Sequence, residues 1–148
     1  MSLEAALNAL AALPVPGVSA YGVGALPPTL ERGTLPALVV LPLSLPELPL
    51  LPSAGLGLGT FAQGSAYAQI SVTHLLLWTT REAAQPLRLT LPALIASVDD
   101  VLSAYAADPL LGDALAEPTQ VRVELGQFRW STSEYYGCAF RHVWLLRL

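Results

Sequence analysis

Lysine is absent from this chain, and charge of either sign is scarce. The seven basic residues are all arginine, eleven residues are acidic, and charged residues make up 12% of the 148. Ordinary soluble domains carry about 25%. A net charge of -4 leaves no clustered basic surface of the kind a nucleic acid demands. Cysteine occurs once, as Cys138, so no intrachain disulfide can form and a cytoplasmic life is the expectation. Long apolar runs are missing too. A spanning helix needs about 20 apolar residues in a row. The longest candidate, residues 35–51, is broken by Pro36, Pro42, Pro46 and Pro49. The opening MSLEAALNALAAL carries Glu4 and no basic residue, so it is not expected to act as a signal peptide. What is abundant is apolar: 53% of the residues. With no segment expected to enter a membrane, that is more apolar surface than a lone monomer would comfortably expose. Burial against other chains is the expected resolution.

At this length a single domain over residues 1–148 is expected, large enough for a proper core. Residues 2–13 predict a short helix, with Ser2 as N-cap, Glu4 in the first turn and Leu3, Leu7 and Leu10 at helical spacing. Pro14, Pro16 and Gly17 end it. Residues 18–23 suit a short strand, 25–35 a loop, and 36–43 (PALVVLPL) a buried strand. Residues 42–59 combine four prolines and three glycines with many leucines. They predict an ordered, apolar arm without regular structure, since disorder prefers polar composition.

Residues 65–79 alternate with period two over a long strand. Ala66, Ala68, Ile70, Val72, His74, Leu76 and Trp78 share one face, and both faces turn apolar near residues 75–78. Residues 91–107 predict the main helix, with Pro92 in its first turn and a stripe of Leu91, Leu94, Ile95, Val98, Val101, Leu102 and Tyr105. Two strands close the chain. Between Leu125 and Phe128 the apolar alternation slips by one, which predicts a bulge at Gly126-Gln127. Cys138, Phe140, His142, Trp144, Leu146 and Leu148 line one face of the last strand. The fold class is therefore α+β: an antiparallel, at most mixed, sheet of about four strands with helices on one face.

Chemistry-bearing residues are few. His74 and His142 both fall on apolar strand faces, where a buried, singly bonded histidine is the expected state. A zinc site needs three or four ligands, and no spacing here supplies them. Cys138 shares a face with His142, but four strand residues separate them by about 13 Å, too far for activation. Asp99 and Asp100 diverge by about 100° on a helix and suit a solvated face. Asp108 and Asp113 suit turns and caps. GLGLG at residues 55–59 precedes a strand and has no lysine after it, so it is not expected to cradle phosphate. The aromatics of the last strands suit core and subunit contacts.

The run TLPALVVLPL, the helix LPALIASVDDVLSAY and the closing YYGCAFRHVWLLRL, taken with the element order, resemble the tail terminator or tail completion proteins of long-tailed bacteriophages and related contractile injection devices. The resemblance spans nearly the whole chain as a pattern of elements rather than a sharp motif. It implies a structural protein and not an enzyme, without cofactor or metal. Such a subunit forms a ring, typically of six copies, that caps the tail tube and joins it to the head connector. Its partners would be itself, the tail tube protein and connector proteins, with no nucleic-acid sequence recognition and no membrane. It would be cytoplasmic during assembly and then part of a tail. Low charge and the Leu/Pro arm depart from the family pattern. The expected interface lies on arm leucines Leu45, Leu48, Leu50, Leu51, Leu56 and Leu58, with Phe61, Tyr135 and Tyr136 beyond it. The competing readings are a domain that binds a small apolar ligand, and an enzyme built on His74, His142 and Glu124 or Glu134.

Overall fold

The computed structural model describes residues 2–41, 56–62, 65–84 and 86–147. In chain order the elements are α1 (Leu3–Ala11), β1 (Ser19–Tyr21), β2 (Ala37–Leu41), β3 (Leu56–Ala62), β4 (Ser65–Thr80), α2 (Leu87–Ala107), β5 (Gln120–Trp130) and β6 (Ser133–Arg147). The fold is α+β, as expected, with a mixed and mostly antiparallel sheet. Five strands run in the order β1-β2-β4-β6-β5, and β3 adds a sixth by pairing with β4. Among the described residues only the β1–β2 pair is parallel.

The sheet has six strands where about four were expected, and β3 is the one that no expected strand covers. It occupies the part of the chain whose glycines argued against regular structure. Its backbone finds a ready ladder in the first half of β4, from Leu56 opposite Ile70 to Ala62 opposite Ser65. A vacant strand edge satisfies backbone groups whatever the side chains are. β2 pairs the second half of the same β4 edge, ending with Leu41 opposite Thr73. So β2 and β3 lie in one line along β4, and residues 42–55 join two points only three β4 residues apart.

Both helices pack on one sheet face. Ser2 caps α1 through its side-chain oxygen, which accepts from the Ala5 N–H at 3.1 Å. α1 contributes Ala6, Leu7 and Leu10 to the main core, where they meet Leu38 and Val40 of β2, Val72 and Leu76 of β4, and Phe140 and Trp144 of β6. α2 begins one turn earlier than expected, at Leu87 after Pro86. Pro92 therefore sits in the helix interior, where it lacks a donor. The hydroxyl of Thr90, donating toward the Leu87 and Ala84 carbonyls, partly ties down the turn.

The buried stripe of α2 is Leu94, Val98, Val101, Ala104 and Tyr105. It is rotated from the expected one: Ala104 is inside, while Leu91 and Ile95 are exposed. At 21 residues, with mean hydropathy 1.3 over an 18-residue window, α2 is also long and apolar enough to cross a membrane by length and composition. A helix starting at Leu91 would be too short for this. Here its apolar stripe packs on the sheet, and Asp99 and Asp100 stand exposed at mid-helix.

A second core lies on the opposite sheet face. Val39, Leu41, Leu75, Leu77, Phe128, Trp130, Tyr135 and Ala139 cluster there, covered by Tyr21, Leu26, Leu30 and Leu35. The indole N–H of Trp130 donates to the Pro27 carbonyl at 2.9 Å and pins that covering segment. The doubly apolar end of β4 is thus covered on both sides within one chain, by the helices and by this loop.

The bulge expected at Gly126-Gln127 is absent. β5 pairs β6 in one unbroken register from Gln120 opposite Val143 to Trp130 opposite Ser133. The apolar set changes parity because β5 serves two cores: Val121 packs with the helix side, and Phe128 and Trp130 with the loop side. The irregularity lies instead in β4, where Trp78 is the extra residue between Leu77 opposite Gly137 and Thr79 opposite Tyr136.

The turn between β5 and β6 has two residues, Ser131 and Thr132, and Ser131 takes φ 56°. Two-residue hairpin turns favour glycine at such a position. Ser131→Gly is expected to raise stability by about 0.5–1 kcal/mol, read as a higher urea midpoint at unchanged m.

Candidate functional site

The two histidines come together. β4 and β6 pair with Val72 opposite His142 and His74 opposite Phe140, so His74 and His142 are diagonal neighbours beneath α2. Their ring centroids lie 6.3 Å apart. Tyr105 of α2 reaches between them. Its hydroxyl shares a 2.7 Å hydrogen bond with His74 Nδ1, and its ring meets His142 edge-on at 4.6 Å. Thr119, just before β5, binds His142 Nδ1 through Oγ1 at 2.8 Å and accepts from the Trp144 indole at 3.1 Å. His142 Nε2 is buried and has no hydrogen-bond partner among the described residues.

Burial holds both imidazoles neutral. It pushes each pKa down from 6.5 to about 3, and in His74 the nearness of His142 adds to the effect. Tyr105 is driven well above its ordinary value by the same desolvation. Cys138, also buried, has its thiol pushed up to about 12, chiefly by desolvation. That is the environment of an inert structural cysteine.

The enzyme constellation is not assembled. Glu124 lies on the other sheet face, where Arg141 Nε binds it at 2.8 Å. Glu134 sits at the surface between Arg81 at 3.0 Å and Arg129 at 3.5 Å, and its pKa is lowered chiefly by the Arg81 hydrogen bond. Neither meets the histidines. Among the described residues no group of three or more His, Cys, Asp or Glu gathers where it could hold a metal. An open groove of about 600 Å³ between α1 and α2, lined by Ala9, Leu13, Ala104 and Ala107, is the most apolar concavity described.

The expected interface residues divide three ways. Leu45, Leu48, Leu50 and Leu51 lie outside the described residues. Leu56 and Leu58 belong to β3 and not to an irregular arm, and Phe61 lies on the same strand. Tyr135 is buried in the second core of its own subunit. Tyr136 stays half-buried, its hydroxyl accepting from Gln127 Nε2 at 3.0 Å. The closing aromatic strand also goes inward, for Cys138, Phe140, His142, Trp144 and Leu146 are all buried.

The apolar surface left exposed is elsewhere. Val123 and Leu125 on β5 are 39% and 52% exposed, and Leu91 and Ile95 on α2 are 38% and 44% exposed. Leu91 and Ile95 belong to the stripe expected to face the core. The parity change at Gly126, which in sequence suits a bulge, signals instead that β5 serves two faces. Comparison of the chain with protein-family models and with curated proteins finds no match.

Proposed function

We propose that the protein is a structural subunit of the tail-terminator type, assembling as a ring of about six copies that caps a tail tube. The observation that carries this reading is where the chemistry and the greasy surface lie. The titratable residues of the core are sealed in a neutral network, while the large apolar side chains of Leu91 and Ile95 remain exposed on α2. Such patches mark contact surfaces. Obligate contacts are large and apolar, and a cyclic ring buries two such patches per subunit.

The arm remains part of this proposal. Residues 42–55 join two neighbouring points on the β4 edge, so the sheet itself does not require their length. We assign them to contact with a neighbouring subunit or the tube. Replacing residues 43–54 by a short glycine-serine link spares β2 and β3. Light scattering and negative-stain microscopy should find rings of about six copies for the full chain and none for the shortened one. A full chain that stays monomeric at high concentration would overturn the ring. An intact ring from the shortened chain would overturn the role of the arm.

A further inference from the structure

We propose that a second copy of this chain pairs antiparallel along β5, through a two-fold axis at Val123, and extends the sheet across both subunits. The proposal goes beyond the ring and does not rest on it. A two-fold contact closes after two copies, so it is separate from the repeating contact of a cyclic ring.

β5 ends one side of the sheet: β6 is its partner, and among the described residues its outer edge has none. The two-residue turn makes Trp130 and Ser133 a hydrogen-bonded pair. Even-numbered β5 residues therefore direct their backbone groups at β6, and odd-numbered ones direct theirs outward. The Glu134 carbonyl agrees with this phase, since it turns away from β5 to accept from the Arg81 N–H at 3.0 Å. Val121, Val123 and Leu125 thus offer free N–H and C=O groups along an exposed edge.

Soluble proteins guard such edges with charged side chains, lysine above all, or with proline or bulges. β5 carries Arg122 and Glu124 on the loop face and Arg129 beside the turn, but no charge on the helix face at its open end. Its eleven residues contain no proline and no lysine, their register is unbroken, and the side chains toward the helix face at the open end are Val121, Val123 and Leu125. On the opposite side the sheet ends in β1, a strand of three residues, and in β3, whose ladder with β4 shifts register between Leu58 and Phe61. The first is too short, and the second too irregular, to be a comparable template.

Charge complementarity identifies the partner as a second copy and sets the register. With the axis at Val123, Val123 faces its own counterpart and Val121 faces the other copy's Leu125, giving an unbroken apolar row on the helix face. On the opposite face Arg122 meets the other copy's Glu124, twice over. Moving the axis to Glu124 sets Glu124 against itself, and moving it to Arg122 sets Arg122 against itself. Like charges directly opposite are destabilising. Within its own chain the 80% exposed Arg122 side chain pairs with Glu124 at 3.3 Å, beside Arg141 at 2.8 Å, so crossing exchanges one exposed ion pair for its equivalent in the other copy.

Cysteine cross-linking reads the register directly. Opposed residues in such a ladder lie about 5.5 Å apart at Cα, within reach of a disulfide. Val123→Cys should oxidise to a species of twice the 15.6 kDa chain mass. An equimolar mixture of Val121→Cys and Leu125→Cys should cross-link at least tenfold more than either alone. Leu89→Cys, exposed on α2, is the background control. Val123→Glu, at a surface position, should fold with an unchanged circular dichroism spectrum and lose the two-fold species. Cross-linking of Val123→Cys no higher than Leu89→Cys would overturn the proposal, as would a two-copy species undiminished by Val123→Glu. Rings without the Val123→Cys cross-link would sink this contact alone. The cross-link without rings would sink the ring alone.

Discussion

Gly137→Ala is expected to be the most damaging single-methyl change in the protein. Gly137 pairs with Leu77 where β6 crosses the Trp78 irregularity, and a Cβ there would overlap the backbone carbonyl oxygen of Leu76. A side-chain obstacle could rotate aside, but this one is the central strand itself. The β4–β6 ladder would have to part beside Leu75, Leu76 and Leu77, all buried in the two cores. Overpacking of a well-formed interior costs about 1–3 kcal/mol when side chains can adjust. With backbone on both sides, a loss of about 4 kcal/mol is expected, a large part of the 5–15 kcal/mol of a typical domain. For a chain of this size the melting temperature should fall by about 10 °C. Gly24→Ala is the control, because a Cβ at Gly24 meets nothing. It should melt within about 2 °C of the parent. If Gly137→Ala did the same, the close approach of β6 to β4 would be refuted.

Acid is expected to loosen the fold well before the carboxylates titrate. His74 and His142 take protons at about 6.5 in an unfolded chain and at about 3 when buried. Below pH 6.5 the unfolded state binds more protons than the folded one, so stability is full above that pH and is lost as pH falls toward 3. Between pH 7 and pH 5 each histidine accounts for about 2 kcal/mol and the pair for about 4 kcal/mol. Around them stand Tyr105, Phe140, Trp144 and Thr119, none of which is charged in this range. Glu134, its pKa lowered by Arg81, contributes only at lower pH.

His142→Phe tests the assignment. It removes the orphaned Nε2 and keeps a ring against Tyr105 and Trp144. The loss of stability between pH 7 and pH 5, measured by urea midpoints, should drop by about half. An unchanged pH slope in that variant would mean that His142 is not buried neutral.

Legibility of the fold followed the strength of each local period. Ser2 capping, the β2 run and the long β4 alternation were readable because each depends on neighbours within a few residues. β3 was not, since its strand character comes from an edge that β4 offers and not from its own glycines. The first turn of α2 and its exposed flank were misplaced for a related reason. Several leucines fit the helical stripe, and only the sheet beneath decides which of them it covers. Of the site, the pairing of His74 with His142 was readable as a possibility from two matching apolar faces. Their partners Tyr105 and Thr119 come from other elements and carried no signal.

By itself, then, the sequence determined the class, the two long strands, the helix layer and the excess of apolar residues, because composition and period are local properties. Tertiary structure decided where that excess goes. The aromatic strand and the double-faced end of β4, both expected at an interface, are consumed by two cores on opposite sides of one sheet. Val123, Leu125, Leu91 and Ile95 are left outside. Burial depends on which elements stack on which face, and that is a property of the whole chain and not of any window within it.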